Sequence, residues 1–487
     1  MPQPTWSPPS FATLPAVLFE RVDPTAVPAP YAVAWNAPLA ARLGLDGSLG
    51  SRELLELFAG NRIEPAMTPL AAGYAGHQFG SWVAELGDGR AIVLGELAAS
   101  DALPYEVQLK GAGMTRWSRM GDGRAVLRST IREYLGSAAM AGLGIPTTRA
   151  LAIVGSDLPV YRERTETAAI LTRVARTHVR FGSFELLASR RLAAERQALA
   201  DYVIERCYPE LLPLPASERY AAWYTEIVAR TARLMAQWIA VGFAHGVMNT
   251  DNFSIVGDTI DFGPFGWLDS YDPAFICNHT DWAGRYAFDQ QPAVGLWNCA
   301  RLGEALHPLV DEPAAIAALD GYADAYEQEI GQRMRAKLGL PGEEPEDIDL
   351  IASLLELMRT TGADYTRTFR ALSRFDEANT DSAELIRAEI SDHRGLDAWL
   401  TRYASRVTRP ELPTAERHKR MLAVNPKYVL RNWVAQDVIQ NAETRNYVLV
   451  DQVRAVLDAP FDEHPAMERF AAGPPEWASG IVVSCSS

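Results

Sequence analysis

Residues 245–263 read His-Gly-Val-Met-Asn-Thr-Asp-Asn, then Phe-Ser-Ile-Val-Gly-Asp-Thr-Ile, then Asp-Phe-Gly. Asn252 and Asp261 offer two hard oxygen ligands of the kind a divalent cation takes. The stretch Phe253 to Ile260 between them is short, apolar and β-branched with Gly257-Asp258 at its centre. It predicts a tight hairpin that returns Asp261 to the end where Asn252 stands. Mg²⁺ needs only one or two protein carboxylates or amides when substrate phosphates complete its shell, so a full protein cage is not required. Taken alone, these letters also describe a solvated Asx-rich turn beside an ordinary hairpin. The combined spacing is far more specific than an isolated Asp-Phe-Gly.

The same spacing overlays the H-R-D-x-x-x-x-N and D-F-G motifs of protein kinases, in which an Asp accepts the substrate proton while Asn and a second Asp hold metal. Asn252 and Asp261 fall on the two metal positions, and Val247 stands where the base belongs. A chain that keeps the ligands and lacks the base is expected to bind ATP for different chemistry. Asp251 is the nearest replacement base.

The composition of the 487 residues is that of a globular protein, with 48% hydrophobic and 22% charged side chains. No apolar run approaches the roughly 20 residues that span a bilayer. Met1 to Leu14 contain no Lys or Arg, so they lack the basic start of a secretory signal and the Arg content of a presequence, and cytoplasm is the expected location. The net charge of -15 disfavours nucleic acid and anionic membrane as partners, and a lone monomer is the default. Cys207, Cys277, Cys299 and Cys485 show no zinc spacing.

Outward from the opening stretch, the chain divides into an N-terminal extension (1–69), a strand-rich lobe with nucleotide-binding loops (70–180), a helical lobe with the 245–263 segment (181–340) and a C-terminal helical region with a redox-capable tail (341–487). Trp82 to Leu97 reads as two strands around Gly-Asp-Gly-Arg, Tyr105 to Lys110 as a third, and Arg128 to Met140 as a helix. Strand, Gly turn, strand, strand ending in Lys, helix containing Glu is the order of a kinase N-lobe. Phe184 to Tyr208 and Glu218 to Phe243 are long helical patterns, and Ile316 to Leu338, Asp347 to Thr360 and Asp364 to Leu372 continue them. The expected fold class is α+β, a protein-kinase-like bilobal fold with an N-terminal extension and additional C-terminal helices.

Gly87, Gly89 and Arg90 lie where a Gly-rich loop would cover phosphates, an ordinary Asp-Gly turn being the plain alternative. Lys110 and Glu133 match the Lys and Glu that pair in kinases to position phosphates. The Gly-rich link from Gly111 to Arg124, with Arg116, Arg119, Arg124 and Arg128, is a candidate anion-binding loop or else a flexible surface loop. Arg173, Arg176, His178 and Arg180 form a further basic run, which a solvated edge would explain equally well.

Together, Tyr74-Ala75-Gly76-His77-Gln78-Phe79-Gly80, Gln108 to Gly113, Arg180 to Glu185, His245 to Asn252 and Asp261 to Phe265 resemble the selenoprotein O family of pseudokinases, called YdiU in bacteria. The likeness is strong from about residue 70 to 290 and looser to the C-terminus. It implies a kinase-like fold that binds ATP inverted and transfers AMP, or UMP from UTP, to Ser, Thr or Tyr hydroxyls of protein substrates, releasing pyrophosphate. Carried over by position, it implies nucleotide binding by Gly87, Gly89, Arg90, Lys110, Asp122, Gly123, Arg173, Arg180 and Asp261. It makes Glu133 the ion-pair partner of Lys110, Asn252 and Asp261 the ligands of Mg²⁺ or Mn²⁺, and Asp251 the proton acceptor. Cys485 stands where some members carry selenocysteine, and the family implies a disulfide between it and Cys277. Two alternatives stay open: an unconventional kinase that transfers the γ-phosphoryl group, and an inactive ATP-binding redox scaffold.

Overall fold

The computed structural model describes residues 5–101, 103–408 and 412–483. Its strands are β1 (Trp6–Ser7), β2 (Phe19–Arg21), β3 (Tyr31–Trp35), β4 (Leu70–Gln78), β5 (Ser81–Gly87), β6 (Ala91–Ala98), β7 (Pro104–Lys110), β8 (Ala125–Val126), β9 (Arg149–Tyr161) and β10 (Thr165–Ala175), followed by the short pair β11 (Phe243–Ala244) and β12 (Gly266–Trp267). The first ten form one antiparallel sheet along the path β2-β4-β6-β7-β10-β9-β3, with β1 on β6, β5 on β4 and β8 on β10. The segment before residue 70 is therefore woven into the sheet, and it supplies the strands at both ends of that path.

The helix Leu127–Gly142 is buried along most of its length. One side packs on β9 and β10, and the other meets the helices Asn432–Glu443 and Val448–Asp458. At Gly142 an added Cβ would stand 1.9 Å from the carbonyl oxygen of Leu457, so only glycine allows that crossing. The main apolar cluster runs from this helix through Phe181, Trp223 and Trp238 to Val453 and Leu457. A second cluster fills the helices from Glu312 onward, and a third lies under the opposite face of the sheet. Among the described residues no helix is long and apolar enough to cross a membrane.

The strands expected around Gly-Asp-Gly-Arg, the strand ending at Lys110 and the helix carrying Glu133 are present. Two expectations are corrected. The pattern Phe184 to Tyr208 is two helices, Phe181–Ser189 and Ala193–Cys207, separated where Arg191 takes a left-handed φ of 56°. The segment Phe253 to Ile260 does reverse at Gly257, φ 82°, but its arms do not pair with each other. Ser254 bridges to Arg180 and Thr259 to Thr147, so the reversal is held by the sheet side of the molecule.

Candidate active site

The geometry begins with β-sheet register. In β7, Gln108 and Lys110 are two residues apart and point to one face, and β10 sets Arg173 opposite Gln108. The helix Leu127–Gly142 lies across that face and brings Glu133 to both cations. Lys110 Nζ is 2.6 Å from Glu133 Oε2, and Arg173 Nη1 is 3.3 Å from Glu133 Oε1. One turn further along, Gly136 leaves room for Phe262, whose ring a Cβ there would meet at 2.9 Å. That contact seats the Asp-Phe-Gly segment, with Asp261 at φ 52° in the left-handed region.

Asp261 thereby meets three cations. Arg173 Nη1 donates to its Oδ1 at 2.5 Å, Arg180 Nη1 to its Oδ2 at 2.6 Å, and Lys110 Nζ lies 3.6 Å away. Burial alone would raise its pKa, but Arg180, Arg173 and Lys110 outweigh that and hold the carboxyl well below the usual range. The Lys110 ammonium is itself pushed down by burial, and Glu133 and Asp261 act against that push.

Lys110, Glu133, Arg173 and Asp261 line a cavity of 680 Å³ together with Gly87, Gly89, Arg90, Asp122, Gly123 and Asn252. The Gly87 to Gly89 turn is close-packed. A Cβ on Gly87, φ 151°, would fall 2.3 Å from the Trp117 indole, and Thr115 Oγ1 donates to the Asp88 carbonyl at 2.8 Å. The stretch from Gly111 to Arg124 is thus strapped to the turn and is not a free surface loop. Of its arginines, Arg119 and Arg124 line the cavity. Arg116 approaches Glu85 and Arg128 pairs with Glu166. In the second basic run Arg173 and Arg180 turn inward, while Arg176 donates to the Arg206 carbonyl and His178 pairs with Glu106 at 2.7 Å.

Asp251 has different surroundings. Its side chain is buried and packed beneath Gly76, where a Cβ would meet its Oδ1 at 3.0 Å, and Gly182. Its Oδ1 has no hydrogen-bond partner, and Oδ2 receives only the Gln78 amide at 3.5 Å. Burial pushes its pKa up to about 7, with Arg180 pulling against that push. Arg180 links the two aspartates, since its Nη1 also donates to the Asp251 carbonyl oxygen at 2.9 Å. Neither Asp251 nor Arg180 lines the cavity itself; Gln78 lines it and touches Asp251.

Asn252 commits its amide nitrogen to the Val247 carbonyl at 2.9 Å, which fixes the orientation of the amide. Among the described residues no group of three His, Cys, Asp or Glu surrounds a common ion position. Asn252 and Asp261 both line the cavity, and two such ligands are enough for a cation that takes the rest of its shell from phosphate and water.

The reading of the sequence missed four residues. Asp88 accepts from Gln108 at 3.1 Å, Gln108 holds Arg173 at 2.9 Å, and Tyr74 lies under the Arg180 guanidinium at 4.6 Å. Arg162 grips Asp122 through both carboxylate oxygens at 2.8 and 2.9 Å. Period-2 spacing from Lys110 to Gln108 was the available signal for one of them. Cys277 is buried, with Sγ 3.5 Å from the Ala244 carbonyl. The His279 N–H donates to the Val483 carbonyl at 3.2 Å, which brings the end of the described chain close to Cys277. Cys485 lies outside the described residues.

Comparison with known proteins gives a consistent result. The family model described as protein adenylyltransferase SelO matches residues 6–457. A protein nucleotidyltransferase YdiU of Thioalkalivibrio sulfidiphilus is 52% identical, with 98% of each chain covered. Proteins of the same description from Myxococcus xanthus and Yersinia pseudotuberculosis are 51% and 47% identical, again over 98% of each chain.

Proposed function

The chain belongs to the family of protein adenylyltransferase SelO, and from that premise we propose that it esterifies Ser, Thr or Tyr hydroxyls of proteins with AMP from ATP, or with UMP from UTP. It is a protein nucleotidyltransferase. The acceptor oxygen attacks the α-phosphorus and forms the new P–O bond. The bond to the β-phosphate bridging oxygen breaks, pyrophosphate leaves, and the hydroxyl proton passes to Asp251. The reading includes a kinase-like bilobal fold with the nucleotide inverted within it.

The observation that carries this reading is the contrast around Arg180, which joins a cation-saturated Asp261 to an Asp251 with an unpaired oxygen. Lys110, Arg173 and Arg180 supply positive charge where a triphosphate would place its outer phosphates and where charge develops on the leaving pyrophosphate. Gly87, Gly89, Arg90, Asp122 and Gly123 form the part of the wall suited to close backbone approach and to the rest of the nucleotide. Mg²⁺ or Mn²⁺ held by Asn252 and Asp261 would neutralise phosphate charge and orient the α-phosphate. Asp251, with its pKa near neutrality, is suited to accept a proton. The reading also carries a Cys277–Cys485 disulfide, supported by the contact of His279 with Val483.

The test uses ATP labelled on the α- or the γ-phosphate, with Mg²⁺ or Mn²⁺ and Asp261→Ala as control. Label retained on protein from the α-position alone is the expected result. Retention from the γ-position alone would make this an unconventional kinase. Retention from neither, under reducing conditions as well, would leave an ATP-binding scaffold.

A further inference from the structure

The turn between β4 and β5 consists of Phe79 and Gly80, with φ of 49° and 81°. Two successive left-handed residues make a type I′ turn, whose first position favours Asn, Asp or Gly because a bulky side chain is strained there. Phe79 is also 38% exposed. Neither turn chemistry nor burial therefore accounts for a phenyl ring at this place. The strain is nonetheless held firmly. The Phe79 N–H donates to Asn249 Oδ1 at 3.1 Å and to the Tyr286 hydroxyl at 2.9 Å, and the His77 N–H donates to Thr250 Oγ1 at 2.7 Å. Two of these anchors, Asn249 and Thr250, belong to the loop that carries Asp251, and the third, Tyr286, itself donates to Asn249 Oδ1 at 2.7 Å.

Around this turn the aromatic groups form a continuous rim. Phe79 lies 5.1 Å from Tyr286, and the Arg285 guanidinium bridges Tyr286 to Trp297, at 5.8 and 4.8 Å from their rings. His77 connects Trp297, at 5.3 Å, to Trp82, at 5.1 Å, and Trp82 is 42% exposed. The His77 ring is fixed from behind by Glu185 at 2.6 Å. This rim adjoins the nucleotide cavity through Gln78, which precedes Phe79 and both lines the cavity and contacts Asp251. Two exposed rings, Phe79 and Trp82, held by a partly buried aromatic network that leads to a proton acceptor, are suited to bind polypeptide.

We propose that this rim, centred on Phe79 and Trp82, seats the hydroxyl-bearing segment of the acceptor protein, with an apolar side chain flanking the hydroxyl packed against the two rings. The proposal rests on the nucleotidyl-transfer reading and assigns that reaction its second substrate's binding surface. Docking there brings the hydroxyl past Gln78 toward Asp251, while the donor occupies the cavity behind.

The test is carried out on the full chain with α-labelled ATP and dephosphorylated casein, an unstructured hydroxyl-rich polypeptide, as acceptor. Phe79→Asn suits the left-handed turn, so its melting temperature equals or exceeds that of the unsubstituted protein, and Trp82→Ala removes a half-exposed ring. Each raises the KM for casein tenfold or more while kcat and the KM for ATP stay within twofold, and Trp82→Phe restores most of the loss. Unchanged casein KM in both variants would overturn the docking surface and leave nucleotidyl transfer standing. Absence of α-label from casein and from the unsubstituted protein itself would overturn the transfer reading, and this proposal with it. A dimer of the unsubstituted chain that dissociates in Trp82→Ala would assign the rim to a second copy and likewise overturn it.

Discussion

Asp251 and Asp261 share the guanidinium of Arg180 yet sit in opposite electrostatic surroundings. Burial opposes ionisation of both. Around Asp261 three cations reverse its effect, and around Asp251 one distant guanidinium does not. Burial therefore does not settle the charge of a carboxylate; the number of cations within contact does. One carboxylate is held in its charged form by its neighbours, and the other is poised to change charge. In the proposed reaction the pair would separate ligand and base, as neighbouring carboxylates do when their environments push their pKa values apart.

The largest effect is expected from neutralising the permanent charge. Asp261→Asn should lower α-label transfer by at least about a thousandfold, comparable with the upper range for losing one preorganised electrostatic group. It should also lower the melting temperature, because Lys110, Arg173 and Arg180 would lose a shared counter-charge. Retained activity would remove Asp261 from the metal site.

Asp251→Asn should lower transfer by about a hundred- to ten-thousandfold, the usual weight of a general base. In the unsubstituted protein the ionised carboxylate is the active form, so the rate should climb as pH rises through about 7 and level off above. Since the folded-state pKa lies above the ordinary one of about 4, the native protein binds the extra proton between the two values, and this group's contribution to stability falls as pH rises from about 4 to 7. Asp251→Asn should accordingly raise the melting temperature more at pH 8 than at pH 5. A pH–rate profile identical in the variant would deny Asp251 the role of base.

Lys110→Ala bears on the saturated side of the comparison. It should weaken ATP binding by roughly tenfold to a hundredfold, corresponding to about 1.5–3 kcal/mol for a hydrogen bond to a charged group, as measured by calorimetric titration. The smallest effect should come from Thr250→Val, which removes the acceptor for the His77 N–H and a hydroxyl beside Glu185 while leaving Asp251 and Asp261 in place. A loss of about 1 kcal/mol of stability with a modest fall in kcat, read from melting curves and initial rates, would show how far the turn steadies Asp251.

The saturated side was largely legible in the sequence. Lys110 ends an alternating strand, Glu133 sits on a periodic helix, and the spacing from Asn252 to Asp261 is distinctive. The poised side was less so, because its logic lies in contacts distant along the chain. β4 carries no β-branched residue and three of its positions are alanine, so period-2 hydrophobicity has little to register. Its glycines serve close approach: at Gly73 a Cβ would lie 2.6 Å from Trp117, and at Gly76 2.9 Å from Thr250 Oγ1. The expected hairpin from Phe253 to Ile260 failed for a related reason. Its turn residue was read correctly, but its two arms find partners in Arg180 and Thr147 instead of each other.

The path β2-β4-β6-β7-β10-β9-β3 begins and ends with strands from the first 35 residues. During synthesis both strands emerge well ahead of their partners: β2 must wait for Leu70–Gln78 and β3 for Arg149–Tyr161 before either finds its neighbour. Pairings so far apart in sequence are slow to close, and until they close the growing sheet presents open edges to other chains. The nascent protein should therefore need protection from aggregation until roughly its first third has been translated, and deletion of the leading strands should reopen both edges at once.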